Sequence, residues 1–271
     1  MPGKINLRKL YRPIQPAIKQ TGSRVLYKEI LANHILEDII YCYWELRTTE
    51  KLDTSFIYRV VADGCIDIFF QLDKPDESFV MGFCNNYTEF ALENDFHYVG
   101  IRFFPTMFPA LFQIDAKELT NRFERLELII RDTSAFIQRS FSTKDSLEDI
   151  KTKLDSYFSD RIRNRELTID TRFQNALDII LKKSGVVSIQ KDLETGLSTR
   201  QLRRYFEYYV GDTPKTFSQV VRFQNILNAK PSMQSLKSNT LFFDLGYFDQ
   251  AHFIKEFKNF YGVTPSKAFG R

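Results

Sequence analysis

The sequence predicts an α+β protein, with a β-rich N-terminal domain that also carries helices and an all-α C-terminal domain. Two observations lead to this fold class. Strand-like runs crowd roughly the first 130 residues, and the last hundred residues contain one helical pattern written twice, 51 residues apart. Strands followed by helices are typical of α+β chains, and an internal repeat indicates a supersecondary unit used twice. We therefore predict two domains, residues 1–165 and residues 166–271.

The N-terminal strands are predicted from runs of β-branched and aromatic residues. Residues 56–62 and 65–71 flank Asp63-Gly64, the kind of dipeptide that best supplies the positive φ angles of a two-residue hairpin, so we expect the two runs to pair. After Pro105 the apolar spacing becomes helical. The other elements predicted in this region are strands at 78–83, 88–92 and 96–104, and helices at 107–112 and from 116 to about 130.

An apolar seam at helical spacing marks the end of the N-terminal domain, on an otherwise charged segment that runs to about residue 163. The seam covers only two turns, which is too short to indicate a coiled coil. It fits packing onto the chain's own N-terminal domain, or pairing with a second chain in a homodimer. The polar, arginine-containing stretch 159–170 is the predicted linker. The seam residues are Leu147, Ile150, Leu154 and Tyr157.

The first copy of the repeat begins with a turn that leads into a helix. Ser198 and Gln201 have the spacing of a capping box, and Leu197 and Leu202 that of the accompanying hydrophobic staple. The helix is therefore predicted to begin at about Thr199. Its inward positions are Leu202, Phe206 and Tyr209, and its outward positions are Arg200, Arg203 and Arg204.

The second copy repeats this arrangement. Asp249 is the candidate cap, with Phe248 and Phe253 as the staple. The inward residues of this helix are Phe253, Phe257 and Phe260, and the outward residues are Gln250, Ala251, His252, Lys255 and Lys258.

Two repeated turn-helix units with polar outward faces predict binding to double-stranded DNA. In a helix-turn-helix the second helix enters the major groove, where arginine pairs with guanine and glutamine with adenine. A single exposed arginine-rich helix is usually only a solvated face, but duplication is not expected of a generic helical domain. Residues 166–271 hold 15 Lys or Arg against 10 Asp or Glu, whereas residues 1–165 hold 23 against 24. The basic surplus therefore lies with the repeat, where phosphates would be contacted.

The stretches 196–206, 211–217 and 246–265 resemble the DNA-binding domain of AraC/XylS-type bacterial transcription regulators. The resemblance covers roughly residues 170–269. It implies two helix-turn-helix units joined by a central helix at about Pro214 to Ala229, and it implies contact with RNA polymerase. Position by position, the resemblance implies that the following residues face the DNA bases: Arg200, Arg203, Arg204, Gln250, Ala251, His252 and Lys255. Lys258 lies further along its helix, where a contact with phosphate is expected.

Two positions depart from the pattern of the family. The first bracing helix, within residues 189–196, is one residue short, so we expect it to be shortened or re-angled. In the second unit Phe242 takes a position usually held by a small alanine. Neither departure touches the outward faces.

The N-terminal part resembles a poorly characterised domain found fused to such DNA-binding domains, on the segment 59–65 and its surroundings. Regulators of the broader family usually carry a cupin-like barrel that binds a small effector, dimerises, or both. Trp44, Arg59 and Arg102 are the candidate effector ligands. The two arginines would hold an anionic effector and Trp44 would form an aromatic wall. A strand-edge salt bridge and a core indole are the plainer interpretation of the same residues.

Other classes of function have little support in the sequence. It contains no phosphate-binding glycine loop and no nucleophile elbow, and its three histidines show no ligand spacing, so we predict no enzymatic activity, catalytic residue, cofactor or metal. Cys42, Cys65 and Cys84 fit buried thiols. With no long apolar run and no secretory signal, a cytoplasmic protein without a membrane partner is expected. The open alternatives are an N-terminal domain that is a small-molecule-binding enzyme or a protein-recruitment adaptor.

Overall fold

The computed structural model describes residues 7–16, 24–163, 165, 167–229 and 246–269, with strands in the first half of the chain and helices in the second. The strands are β1 (Val25–Ile30), β2 (Ile40–Thr48), β3 (Phe56–Val60), β4 (Ile66–Gln71), β5 (Lys74–Met81), β6 (Thr88–Leu92), β7 (His97–Phe103) and β8 (Phe123–Arg125). The helices of the N-terminal half are α1 (Leu7–Leu10), α2 (Met107–Phe112), α3 (Leu126–Ile129), α4 (Arg131–Ser140) and α5 (Leu147–Ile162). Those of the C-terminal half are α6 (Thr171–Lys182), α7 (Ile189–Asp192), α8 (Thr199–Tyr209), α9 (Pro214–Ala229), α10 (Gln250–Tyr261) and α11 (Pro265–Phe269).

The strands form two antiparallel sheets. The larger sheet has the order β1-β2-β7-β4-β5-β8, and β3 pairs with β6 in the smaller one. Helices α3 and α4 pack against β5, and α5 contributes to the apolar core that covers this side of the larger sheet. The α+β fold class predicted from the sequence is confirmed.

The predicted hairpin around Asp63-Gly64 is wrong. Gly64 does have a positive φ of 72°, but β3 pairs with β6, while β4 pairs with β5 and β7. Val61 and Ala62 are fully buried against the C-terminal helices, so the chain crosses from one sheet to the other at this turn. Tertiary burial of these two residues overrides the local preference of the dipeptide for a hairpin.

The helix predicted from residue 116 to about 130 is also wrong in its middle. A short 3₁₀ helix, Ala116–Leu119, is followed by β8 and then by α3. Asn121 adopts a left-handed φ of 57°, which ends the first helical turn. The following three residues then pair with β5. The helix at 107–112 is confirmed.

The apolar seam of α5 packs inside the chain. Ile150 and Leu154 are fully buried in the core beneath the larger sheet, and the ring of Tyr157 stacks on Phe136 with centroids 3.9 Å apart. Packing onto the chain's own N-terminal domain is therefore what the seam does. It leaves these side chains unavailable for pairing with a second chain.

The N-terminal and C-terminal parts share one apolar core. Tyr11, Val61 and Ala62 pack in the same buried cluster as Phe217 and Phe223 of α9. Hydrogen bonds also link the two parts. The side-chain amide of Gln224 donates to the Ala62 carbonyl at 2.7 Å, and the backbone amide of Ala62 donates to the Phe260 carbonyl at 3.3 Å. The division at residues 165 and 166 stays a prediction, and the two parts are continuous in packing.

Candidate nucleic-acid interface and ligand cavity

The first turn-helix unit has the local structure that its sequence predicts. The Ser198 hydroxyl accepts from the Gln201 amide, and the Gln201 side chain accepts from the Ser198 amide, so the capping box is confirmed. Helix α8 begins at Thr199, with Leu202 and Phe206 buried. The bracing helix α7 has only four residues, as the missing residue in this segment predicts.

The three arginines of α8 are all exposed, but they differ in their partners. Arg203 donates to Glu207, one turn later, at 2.7 Å. Glu207 also accepts from Lys117 of the N-terminal half at 3.0 Å. Among the described residues, Arg200 and Arg204 have no ion pair. Their guanidinium groups are therefore the ones that are free to pair with a nucleic acid.

Two cations neutralise Glu207. Hydrogen bonds from Arg203 and from Lys117 lower the pKa of the Glu207 carboxyl below its usual range. The contact also places the segment around residue 117 beside α8, because Asp115, Lys117, Gln201 and Arg204 line a common groove. The N-terminal half thus touches one side of the first candidate recognition helix.

The second unit keeps the predicted cap but not the predicted staple. The Asp249 side chain accepts from the His252 amide at 2.7 Å at the start of α10. Phe248, predicted to pack beneath this turn, is 84% exposed, whereas Tyr247 is buried against Phe253 with ring centroids 5.1 Å apart. Tyr247 takes the apolar position because its hydroxyl can donate to the buried Glu256 at 2.6 Å. Phe242 and the second bracing helix lie outside the described residues.

All five outward residues predicted for α10 are exposed: Gln250, Ala251, His252, Lys255 and Lys258. His252 leans toward its own helix, with Nε2 3.8 Å from Glu256. Among the described residues, the side chains of Gln250, Lys255 and Lys258 form no hydrogen bond or ion pair. The inward stripe of Phe253, Phe257 and Phe260 is buried.

A buried ion pair ties α10 to the central helix α9. The Arg222 guanidinium donates to both oxygens of Glu256, at 2.8 and 2.9 Å, and lies 4.0 Å from the centroid of the Tyr247 ring. Gln219 donates to the same carboxylate at 2.7 Å. Burial, followed by the charge of Glu256, raises the pKa of Tyr247. Since α9 also packs against α8, one helix positions both outward faces.

Two family models match separate parts of the chain. Residues 28–125 match a domain of unknown function (DUF6597), and residues 193–271 match the helix-turn-helix domain. The second match covers both repeated units. The C-terminal region is an AraC-type helix-turn-helix domain. Its central helix, predicted at about Pro214 to Ala229, is α9 with the same bounds.

Individual proteins and structures match this chain over a short stretch or at low sequence identity. The chain is 36% identical over 102 residues to an uncharacterized HTH-type transcriptional regulator of Haemophilus influenzae, a match that covers 36% of this chain and 33% of that protein. The chain thus spans about a third of the length of this curated relative. Two structures of ToxT from Vibrio cholerae align with 92% of the chain at 13% and 11% identity, with TM-scores of 0.42 and 0.40, and cover 98% and 99% of those chains. The second was solved bound to (E)-4-(8-methylnaphthalen-1-yl)but-3-enoic acid.

A cavity of about 480 Å³ lies between the two sheets of the N-terminal half. Its floor is formed by neighbouring strands of the larger sheet. In one row across these strands Trp44, Gly100, Phe69 and Phe79 are in register. In a second row, two residues further along, Arg102 and Asp67 are in register with Cys42 and Met81. The roof comes from β3 and β6, where Tyr58 pairs with Phe90.

The cavity brings together two of the three predicted effector ligands. Trp44 and Arg102 line it, and the Trp44 indole donates to Asp67 at 2.9 Å. Arg59 is not among the described residues that line it. It pairs instead with Glu89, at 2.6 Å, and stacks over Tyr87 at the boundary with α10. The sequence did not identify Asp67 as a cavity residue, because its contact with Arg102 depends on the pairing of β4 with β7.

The Trp44 indole depends on Gly100 for its place. A Cβ added at Gly100 would overlap the indole ring, so we expect Gly100→Ala to displace Trp44 and to destabilise the fold by about 1 to 3 kcal/mol, as overpacking does. Because Trp44 is the only tryptophan, its emission spectrum reports the displacement directly. Adding Trp44→Leu to Gly100→Ala should recover part of the lost stability in urea unfolding. No recovery would place the clash elsewhere.

The remaining chemistry of the described region is sparse. No group of three His, Cys, Asp or Glu among the described residues could hold a metal ion. Cys42, Cys65 and Cys84 are free and buried, and burial raises the pKa of Cys84 to about 12. None of the described helices is both long and apolar enough to cross a membrane.

Proposed function

We propose that this chain is a sequence-specific DNA-binding transcription regulator whose two helix-turn-helix units read adjacent major grooves. The observation that supports this most is the pair of capped helices, α8 and α10, each with a polar outward face and each packed against α9. Two rigidly linked recognition helices suit a duplex, whose major groove recurs every helical turn. In α8 the free groups of Arg200 and Arg204 are the base readers, and Arg203 contributes mainly charge.

The base readers proposed in α10 are Gln250, His252 and Lys255, with Lys258 on phosphate. Ala251 presents only a methyl group, which can touch a thymine methyl but forms no hydrogen bond. The second unit is therefore the weaker reader. Double-stranded DNA is the proposed partner, while RNA polymerase and a second copy of the chain stay predictions from the resemblance.

Control by the N-terminal half is part of this proposal. The segment 61–65 joins the cavity to the DNA-binding region: Asp63 and Cys65 line the cavity, while Val61 and Ala62 pack in the core that contains α9 and α10. A ligand that shifts this segment would act on the helices that position both recognition helices. The cavity, with Trp44 and Arg102 in its wall, is the proposed effector site, and no catalytic step is proposed.

Binding-site selection with the full chain tests the two-groove model. We expect two sequence-informative blocks about 10 base pairs apart, within a protected stretch of about 20 base pairs. Base changes in the block read by α8 should weaken binding more than changes in the other block. Hydroxyl-radical footprinting on the selected site then shows whether both blocks lie on one side of the duplex. A single block, or blocks half a turn apart, would contradict the model.

A further inference from the structure

The charged residues that line the cavity are mostly acidic. Four carboxylates and one guanidinium face it: Asp63, Asp67, Glu77, Glu89 and Arg102. Glu89 is neutralised from outside by Arg59. The cavity therefore keeps three carboxylates against a single arginine, and its charge balance is negative.

The guanidinium of Arg102 is largely occupied by neighbouring acids. Its side chain is 3% exposed, and its Nε and Nη2 donate to Asp67 at 3.1 and 2.9 Å. Asp63 lies 3.5 Å from Nε, and Glu29 lies 3.8 Å from Nη1, which is buried and has no hydrogen-bond partner among the described residues. Three carboxylates thus surround one guanidinium. An anion that entered the cavity would meet Asp67 and Asp63 before the inaccessible Nη1.

Glu77 adds a charge that no cation offsets. It is half-buried on β5 and lines the cavity, and no ion pair of Glu77 occurs among the described residues. The Asp67 side chain is 13% exposed, and desolvation raises its pKa to about 6 despite Arg102. The raised pKa is the response expected of a carboxylate with too little compensating positive charge. A cationic group beside Asp67 would supply that compensation.

Aromatic rings supply the rest of the wall. Phe69 stacks between Trp44 and Phe79, with centroids 6.5 and 5.5 Å away, and Phe123 closes the row edge-on at 5.9 Å from Phe79. This aromatic row lies two residues along the strands from the row of Asp67 and Arg102, a spacing of roughly 6.5 Å. Organic cations are attracted to aromatic faces within about 6 Å of the ring centroid.

We propose that the cavity binds an organic cation with an apolar body, a hydrophobic amine or quaternary ammonium compound. Its charged group lies by Asp67 and Asp63 at one end of the aromatic row, and its body lies along that row. Glu77, two residues before Phe79 on β5, adds negative charge at the opposite end of the row. This inference names the effector class and so rests on the proposed function. It departs from the anionic effector expected from the sequence, because Arg59 lies outside the cavity and Arg102 is neutralised within it.

Three probes of similar bulk test the charge preference on the full chain. Benzyltrimethylammonium carries the cation, neopentylbenzene is its uncharged carbon analogue, and 4-phenylbutyrate is an anion. Quenching or a shift of Trp44 emission reports binding at the cavity wall, and calorimetry gives the affinity. We expect the cation to bind about tenfold or more tightly than the uncharged analogue, in line with cation–π and charge attraction, and the anion to bind more weakly than both.

Variants on a single strand assign the charge. Glu77→Gln should lower the affinity for the cation about threefold to tenfold and leave that for neopentylbenzene unchanged. Asp76→Asn is the matched control, because Asp76 is the exposed neighbour on β5 and is absent from the cavity lining, and it should change neither affinity. Asp67→Asn should act like Glu77→Gln if it folds, and Glu77→Gln decides the outcome if it does not.

The outcomes separate this inference from the proposed function. No binding of the cation, equal binding of the uncharged probe, tighter binding of the anion, or an equal effect of Asp76→Asn and Glu77→Gln would each overturn the cation proposal. Salt-dependent binding of duplex DNA, measured on the same preparation without any probe, tests the proposed function alone. If the chain binds the cation but not DNA, the proposed function is overturned and the cation proposal stands.

Discussion

Removing both free arginines of α8 is expected to abolish most of the sequence preference. Arg200→Ala and Arg204→Ala should each cost about 1 to 3 kcal/mol on the selected site, as bidentate base contacts do, and the double variant about 2 to 6 kcal/mol if the sites are independent. The losses on random duplex DNA should be smaller. The physical reason is that neither guanidinium has an ion pair among the described residues, so each can offer its full set of donors to a base. Fluorescence anisotropy with selected and random duplexes measures both losses.

Two variants on the same domain serve as controls for this prediction. Arg203→Ala removes the same charge from the same helix, but Arg203 already donates to Glu207, which keeps Lys117 as a second partner. It should therefore weaken binding less than either free arginine. Lys258→Ala should weaken selected and random duplexes alike, because phosphate contacts carry no sequence information. Equal losses on both duplexes for Arg200 and Arg204 would make them backbone contacts instead of base readers.

Breaking the buried pair between α9 and α10 is expected to have the largest effect on stability. Glu256→Gln leaves the Arg222 guanidinium buried without a carboxylate, and such a loss costs about 3 to 5 kcal/mol. Glu256 also accepts from Tyr247 and Gln219, so the amide can satisfy only part of the network. Urea unfolding followed by circular dichroism measures the loss. The exposed Lys255→Ala on the same helix should leave the midpoint nearly unchanged.

A double-mutant cycle shows whether the loss comes from the ion pair. Arg222→Met combined with Glu256→Met removes both charges together, so the combined loss should be smaller than the sum of the two single losses. Because the pair joins the central helix to the second recognition helix, the single variants should also weaken the second block of the DNA site. Strict additivity, or an unchanged second block in a variant that still folds, would contradict this role.

The local signals in the C-terminal half predicted where α8 and α10 begin. Ser198 with Gln201, and Asp249, specify helix starts through hydrogen bonds that reach only three residues along the chain. The start of α8 therefore agrees with the sequence prediction, and the bounds of α9 agree with what the family resemblance implied. The staple at Phe248 was wrong, because the choice between Phe248 and Tyr247 depends on Glu256, whose burial follows from the packing of α10 on α9.

In the N-terminal half, by contrast, the sequence alone determined the fold class and located β3 to β7, but it missed β1, β2 and β8, and tertiary structure decided the rest. Alternation and β-branched content located most of the strands, since both act along one segment. Which strands pair was decided by burial: Val61 and Ala62 bury against the C-terminal helices, and this carries the chain across Asp63-Gly64 from one sheet to the other. The separation of Arg59 from Arg102, and the surrounding of Arg102 by Asp67, Asp63 and Glu29, follow from that pairing. The charged side chains of the cavity come from strands that are distant in sequence, and only the register of those strands brings the charges together.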